Sequence, residues 1–335
     1  MATTHDIPDT LRFDDRVAIV TGAGGNPGLG RIYALMLAAR GAKVLVNDLG
    51  VGPDGRGQIG TGVEDVVQEI KDLGGTAIPN ANSVESRDGA KTIVQAAVNE
   101  WGRVDVVINN AGIAPFALFD EISDRDIQRV VDVHLMGTIW MCRAAWPHMK
   151  RQGYGRIVNT SSTAAVRGVP YQSVYAGAKL GILGLTRSLA AEGAALGIRA
   201  NVVMPTADTL AWQTMLEPEF SRKARESNVV PELVGPVTTW LAHEHCGFSG
   251  RAITARGGAV GEILLCETAM SADNPQLTLE SAQNAILAGE GRRTSISPVA
   301  DPDRAGQPAF RVRGYESSDR HQPSPGLRQQ TGVCT

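Results

Sequence analysis

Residues 17–33 read VAIVTGAGGNPGLGRIY, and this stretch decides the fold. Val17-Ala18-Ile19-Val20 is a short, mostly β-branched apolar run. Glycines at 22, 24, 25, 28 and 30 follow, and a helical pattern opens at Arg31. Glycines between a strand and a helix let the backbone turn sharply and approach a pyrophosphate, which the helix N-terminus then binds through N–H donors and partial positive charge. Gly22, Gly28, Leu29 and Gly30 are the candidate contacts. No Lys-Ser/Thr follows the last glycine, so a P-loop does not fit. Flavin and S-adenosylmethionine proteins use similar turns, and the next apolar run narrows the choice. It is Val44-Leu45-Val46, ending at Asn47-Asp48, with a carboxylate 18 residues beyond Gly30. That is close to the ~20 expected of an adenosine-ribose ligand. A carboxylate there accepts both ribose hydroxyls and repels a 2′-phosphate, which predicts NAD rather than NADP.

Working outward, further apolar runs occur at Val104–Ile108, Arg156–Val158 and Ala200–Val203. Helical stretches at roughly 28–40, 61–74, 86–101, 123–151 and 173–195 separate the runs. Strict alternation of this kind predicts an α/β doubly wound parallel sheet. The runs are continuously apolar, as expected of strands buried on both faces. A helix near 231–243, with Pro231 in its first turn, and a strand near 250–254 would bring the sheet to about seven strands. The expected organisation is one Rossmann domain over residues 1–288. From residue 289 to 335 proline, glycine, serine and arginine dominate with no usable period, so a low-complexity, disordered tail is expected there.

Composition excludes several classes. The 335 residues are 43% hydrophobic and 20% charged with a net charge of −3, as in an ordinary globule. No basic field exists to attract nucleic acid or an acidic membrane. Cys142, Cys246, Cys266 and Cys334 show no CxxC spacing, which argues against a disulfide framework or zinc cassette and fits a reducing cytosol. No apolar run approaches the ~18 residues of a membrane span, and the N-terminus is polar and acidic where a signal peptide would be basic and then apolar. A cytoplasmic protein is expected. The sequence His243-Glu244-His245-Cys246 carries metal-binding residue types, but adjacent spacing does not place them well around one tetrahedral centre, and no metal is expected.

Asn109-Asn110-Ala111-Gly112 follows the run at 104–108. Ser161-Ser162 follows the run at 156–158, and Tyr175-Ala176-Gly177-Ala178-Lys179 opens the next helix. Tyr175 and Lys179 are four residues apart and project from one helix face. Ser162 lies 13 residues before Tyr175, at the strand end where ligands of such sheets bind. A free phenol titrates near ~10, too high for a base at neutral pH; a nearby ammonium and an oxidised nicotinamide both favour the phenolate.

The joint occurrence of these motifs, in this order, resembles the short-chain dehydrogenase/reductase family over residues 12–285. The resemblance implies Tyr175 as acid/base, Lys179 on the nicotinamide ribose, and Ser162 on the substrate oxygen. It further implies dinucleotide contacts from Asn82, Ser83, Val84, Asn110, Ala111, Gly112 and Pro205. Asn47-Asp48-Leu49-Gly50, Val133-His134-Leu135, Arg143–Lys150 and Trp240–Glu244 are similar to the branch that oxidises (3R)-3-hydroxyacyl-CoA with NAD, and Gly52–Gly62 resembles its extended loop. Family members are commonly dimers or tetramers, so a homodimer or homotetramer is expected.

Three departures stand out. Asn26-Pro27 is a two-residue insertion in the glycine turn, which leaves open which glycine meets which phosphate. His134 replaces the family's usual asparagine; it is expected to help hold a water connecting Lys179 to solvent, against the plainer reading of a packed helix histidine. Asn82 replaces the adenine-side aspartate, and its amide can still hydrogen-bond adenine. Beyond Pro205, Trp212, Met215 and Leu216 share one helical face. They either form a greasy lid over a lipophilic substrate, with Trp212 and Met215 touching it, or pack against the domain. Arg222, Lys223 and Arg225 are suited to CoA phosphates, although such a cluster more often forms a solvated helix face.

The expected function is NAD-dependent oxidation of a secondary alcohol on a lipophilic molecule, first a (3R)-3-hydroxyacyl-CoA, second a hydroxysteroid or terpenoid alcohol. A catalytically silent dinucleotide sensor and an S-adenosylmethionine methyltransferase are the readings from other classes.

Overall fold

The computed structural model describes residues 11–57, 60, 62–265, 278 and 281–283. The expected tail at 289–335, the domain boundary before it, Cys266 and Cys334 lie outside the described residues. One eight-stranded sheet organises the chain, in spatial order β3-β2-β1-β4-β5-β6-β7-β8. Its strands are β1 (Val17–Thr21), β2 (Lys43–Asn47), β3 (Thr76–Asn80), β4 (Val106–Asn109), β5 (Gly155–Thr160), β6 (Ile198–Thr206), β7 (Ala252–Arg256) and β8 (Ala259–Glu262). The first seven run parallel, and β8 turns back antiparallel on β7. The expected seven parallel strands are present; the eighth is a short exposed addition at the edge.

Strand β1 explains why the apolar runs are continuous. Val17 and Ile19 pack into the layer on one face of the sheet, with Ile93, Met141 and Met149. Ala18 and Val20 pack into the opposite layer, with Tyr33, Leu37 and Ile70. Because side chains alternate across a strand, a sheet covered on both sides needs apolar residues at every position. The covering helices are α1 (Leu29–Ala39) and α2 (Val63–Asp72) on one side, and α3 (Arg87–Trp101) on the other. Emptying a site such as Ile19 would cost ~2–5 kcal/mol in cavity and transfer energy.

The stretch expected as one helix over 123–151 is interrupted. Helix α4 (Asp124–Val130) passes into a π-helical turn at Val131–Met136 and then into α5 (Gly137–Gln152). The wider turn shifts the register of side chains along the axis, and it carries His134. Next come α6 (Ala164–Arg167) and α7 (Ser173–Gly193), then two helices after β6, α8 (Leu210–Met215) and α9 (Pro218–Glu226). The expected 231–243 helix is a 3₁₀ turn at Pro231–Leu233 followed by the shorter α10 (Gly235–Leu241), whose first turn holds a proline of its own. No helix among the described residues is long and apolar enough to cross a membrane.

Strand order reverses between β1 and β4. Crossovers leave the sheet on opposite sides there and open a crevice beyond the strands' carboxyl ends. A cavity of about 700 Å³ occupies that position.

Candidate active site

At one end of the cavity the glycine turn follows β1. Gly22 has φ +66, and a Cβ there would lie 2.6 Å from the Ala111 Cα; at Gly30 it would lie 2.3 Å from the Gly22 carbonyl oxygen. Side chains at these positions would occupy backbone space. Gly28 is the N-cap of α1, in extended conformation and with no capping side chain. By contrast Ser86 and Ser123 cap α3 and α4 through their hydroxyls. The first-turn N–H groups of α1 therefore have no side-chain competitor, and Gly28 and Leu29 line the cavity. Such a terminus suits an anion.

Asn110 braces the turn. Its Nδ2 donates to the Thr21 and Gly22 carbonyls at 3.0 and 2.9 Å, and its backbone N–H donates to the Thr21 hydroxyl at 3.1 Å. Ala111 N–H donates to the same hydroxyl. Thr21 was not among the expected residues; its only sequence signal is a hydroxyl at the strand's last position. Asp48 follows β2, with one carboxylate oxygen accepting from Gly24 N–H and the other from Gly50 N–H, each at 2.9 Å. Its two oxygens keep further lone pairs for ribose hydroxyls. Asn47 Nδ2 donates to the Asn80 and Asn82 carbonyls, and Asn82 Nδ2 donates to Asn80 Oδ1 at 3.2 Å. Asn80, also unforeseen, thus positions the residue that stands for the adenine-side aspartate. Asn82, Ser83, Val84, Asn110, Ala111, Gly112 and Pro205 all line the cavity.

In the middle, α7 presents Tyr175 and Lys179 on one face, as the four-residue spacing predicts. The Ser162 hydroxyl lies close enough to the Tyr175 phenol to favour its ionised form, and both residues line the cavity. The neighbouring serine does something different: Ser161 Oγ donates to the Lys179 carbonyl at 2.7 Å and ties β5 to α7. Lys179 is buried, and its Nζ donates to the Thr160 carbonyl at 2.7 Å. Burial pushes the Lys179 ammonium down to about 7.

The expected depression of the tyrosine is not what this geometry gives. Burial raises the Tyr175 phenol above its ordinary value, and only the neighbouring Ser162 hydroxyl opposes it. The lysine Nζ is 5.6 Å from the ring centroid, and the same dry surroundings weaken its own charge. In this pocket desolvation outweighs the pair attraction.

His134 is buried, with its ring edge-on to that of Tyr175, centroids 5.1 Å apart. Its Nε2 lies 2.6 Å from the Ile113 carbonyl and 3.1 Å from the Ile113 nitrogen. The shorter contact assigns the proton to Nε2, donated to the carbonyl. Nδ1 is then a buried acceptor without a protein partner among the described residues. Burial first, and Lys179 second, hold the imidazole well below 6.5, so it is neutral.

At the far end, Phe116, Val169, Trp212 and Leu216 line the cavity. Trp212 and Leu216 are brought together as their spacing predicts, whereas the Met215 side chain lies outside what is described. The basic cluster on α9 is committed elsewhere. Arg222 pairs with Glu219 and Glu226, Lys223 with Glu219, and Arg225 with the buried Asp208 at 3.1 Å. None of the three cations lines the cavity. Nor do the 243–246 residues converge: His243 Nε2 bonds the Arg12 carbonyl, Glu244 pairs with Arg16, and Cys246 Sγ donates to the Phe248 carbonyl.

Known proteins resemble this chain in sequence and fold. A family model described as short chain dehydrogenase matches residues 16–217. The chain is 44% identical over 253 residues to the peroxisomal multifunctional enzyme type 2 of Mus musculus, covering 76% of this chain and 33% of the mouse enzyme. It therefore spans about a third of that relative's length. Identity is also 44% over 251 residues to a short-chain type dehydrogenase/reductase of Mycobacterium tuberculosis, covering 75% of this chain and 85% of that protein. The crystal structure of a short chain dehydrogenase from Mycobacterium avium matches with a TM-score of 0.73 at 33% identity, over 85% of this chain and 98% of that one. With the doubly wound sheet and the glycine turn, these findings make the chain a member of the short-chain dehydrogenase family, an oxidoreductase acting on CH–OH groups with a nicotinamide dinucleotide.

Proposed function

We propose that the protein oxidises a secondary alcohol on a lipophilic substrate with NAD, and that the substrate is a (3R)-3-hydroxyacyl-CoA. The observation that carries the chemistry is the convergence of Ser162, Tyr175 and the buried Lys179 on the cavity that the glycine turn also lines. Gly22, Gly28 and Leu29 would hold the pyrophosphate, Asp48 the adenosine ribose, and Asn82 to Val84 the adenine side; Gly30, expected beside them, is buried under the turn and does not line the cavity. Lys179 and the Asn110–Gly112 segment would hold the nicotinamide half. When bound, the dinucleotide supplies the hydride acceptor.

NAD is favoured over NADP by the charges around Asp48. Arg31, immediately after the turn, is engaged by Glu69, and Arg129 pairs with Glu85. Neither cation is left to neutralise a 2′-phosphate beside Asp48, and the repulsion would weaken NADP.

Ser162 holds the substrate oxygen, and Tyr175 takes the hydroxyl proton as the carbinol carbon gives up hydride. Burial opposes the phenolate, so Tyr175 gains its base strength from positive charge that arrives with the oxidised dinucleotide. Lys179, with its pKa lowered to about 7, can pass a proton on near neutral pH. His134 Nδ1 would accept from a water on that route.

The thioester reading is supported by the 44% identity to the mouse multifunctional enzyme. A second reading, a hydroxysteroid or terpenoid alcohol, is supported by the apolar Phe116, Val169, Trp212 and Leu216 and by the engagement of the α9 cations. Nicotinamide reduction with NAD, comparing a medium-chain (3R)-3-hydroxyacyl-CoA with a 17β-hydroxysteroid, separates the two. Selective turnover of the thioester is expected; turnover of the steroid alone would replace it with the second reading.

A further inference from the structure

The two residues that lengthen the glycine turn have a partner on the substrate side. Gly25 has open space where a side chain would stand, and Asn26 is exposed, so the extra residues rise away from the sheet. Pro27, joined to Asn26 by a cis peptide bond, accepts a backbone hydrogen bond from Leu210 N–H at 2.8 Å. Leu210 is the first residue of α8, the helix that carries Trp212 into the cavity. The turn that faces the pyrophosphate and the helix that faces the substrate are therefore in direct contact.

Helix α8 is otherwise held from its root. Asp208 N–H donates to the Val229 carbonyl, and the Asp208 carboxylate accepts from Gln213 Nε2 at 3.0 Å and pairs with Arg225. The six residues Leu210–Met215 make a helix too short to persist on local propensity alone. An extra tie at its first turn matters more for such an element than for a long packed helix. Leu210 sits where an intrahelical N–H partner is lacking in any helix, so the Pro27 carbonyl satisfies a donor that the helix cannot.

We infer that the Asn26-Pro27 insertion is a positioning element that couples dinucleotide binding to the closure of α8 over the substrate. Fixing the turn around a pyrophosphate fixes the Pro27 carbonyl, and that carbonyl holds Leu210 and the helix behind it. Substrate then meets a lid whose ordering cost has already been met. By linkage, substrate strengthens dinucleotide binding by the same factor. The inference rests on the proposed use of the cavity as a shared dinucleotide and alcohol site.

Leu210→Pro removes the donor and sets a ring carbon where the N–H met the Pro27 carbonyl, so the contact must part, while the helix itself accepts proline at its first position. Leu210→Ala keeps the donor and serves as the control for the lost side chain. The dissociation constant of NADH is measured by its fluorescence, with and without a saturating 3-hydroxyacyl-CoA or hydroxysteroid, whichever the enzyme oxidises, because NADH and the alcohol cannot react with each other. The wild type and Leu210→Ala are expected to bind NADH more tightly with alcohol present. Leu210→Pro is expected to lose about 3- to 10-fold of that enhancement, the range one neutral hydrogen bond spans, and to raise KM for the alcohol more than it lowers kcat. Deleting Asn26 and Pro27, which removes the acceptor from the other side, should abolish the same enhancement. An equal enhancement in Leu210→Pro and Leu210→Ala, or its survival in the deletion variant, would overturn the inference while leaving the proposed function intact. Failure of the wild type to bind NADH would overturn both.

Discussion

The two ends of the cavity are built on different principles. At the nucleotide end, Thr21, Gly22, Gly24, Asp48, Asn80 and Asn110 are joined by hydrogen bonds of 2.9–3.2 Å, many to backbone atoms at strand ends. Each residue is fixed by chemistry that few others could supply. At the substrate end, Phe116, Val169, Trp212 and Leu216 offer apolar surface from loops and short helices. Apolar contact is non-directional, and many side chains could replace these. On the proposed reading, the grip on the dinucleotide is specified residue by residue, whereas the grip on the substrate is specified by shape and is free to vary.

The largest predicted effect lies between the two ends. Tyr175→Phe removes the proton acceptor and should lower kcat by about 10²- to 10⁴-fold, the usual weight of a general base, with NADH affinity within about 3-fold of wild type. Loss of NADH affinity in proportion to kcat would break the division between gripping and reacting groups. Next comes Gly30→Ala, whose Cβ would stand 2.3 Å from the Gly22 carbonyl and 2.7 Å from Asn110 Nδ2. Overpacking of this kind costs ~1–3 kcal/mol, and because the strain falls on the turn itself, NADH should bind at least ~10-fold more weakly by titration.

A smaller effect sharpens the comparison through pH. Between about 7, the value for buried Lys179, and 10.5, its ordinary value, the unfolded chain holds a proton that the native protein has released. Stability therefore rises with pH across that window and is independent of this group below it. Denaturant titrations of Lys179→Met should show a shallower rise from pH 7 to about 10 than those of the wild type; parallel curves would contradict the burial argument. The smallest effect is expected at the substrate end's periphery. The exposed ion pairs of Arg222 and Lys223 are worth little, so alanine at both positions should change kcat/KM for a thioester by less than about 2-fold. A loss beyond ~10-fold would restore these residues as phosphate ligands.

How much was legible in the sequence follows the same division. The central strands were readable because both faces are buried, which forces continuous apolar runs. Strand β3 was not among those runs: it reads Thr-Ala-Ile-Pro-Asn, and its proline is tolerated only because nothing pairs beyond it. Exposed β8 reads Ala-Val-Gly-Glu, too short an apolar run to signal a strand. The π turn at 131–136 was hidden because the apolar period continues through it. Ser162, Tyr175, Lys179 and the glycines at 22, 24, 25 and 28 were legible from spacing and line the cavity, whereas Gly30 packs beneath the turn against the Gly22 carbonyl. The direction of the Tyr175 shift was not, since a sequence displays nearby charge but not burial. Arg225 was equally opaque: its partner Asp208 belongs to another element, and only the fold brings the two within 3.1 Å.

The most direct test of the central claim sets NAD and NADP side by side with a (3R)-3-hydroxyacyl-CoA and a 17β-hydroxysteroid, following nicotinamide reduction and NADH binding on one preparation of the wild-type protein. The account predicts reduction of NAD by one of the two alcohols, with kcat/KM for NAD at least ~10-fold above that for NADP, as one lost charge complement implies. Tight NADH binding with no reduction of either dinucleotide by either alcohol would contradict it and make the protein a dinucleotide sensor.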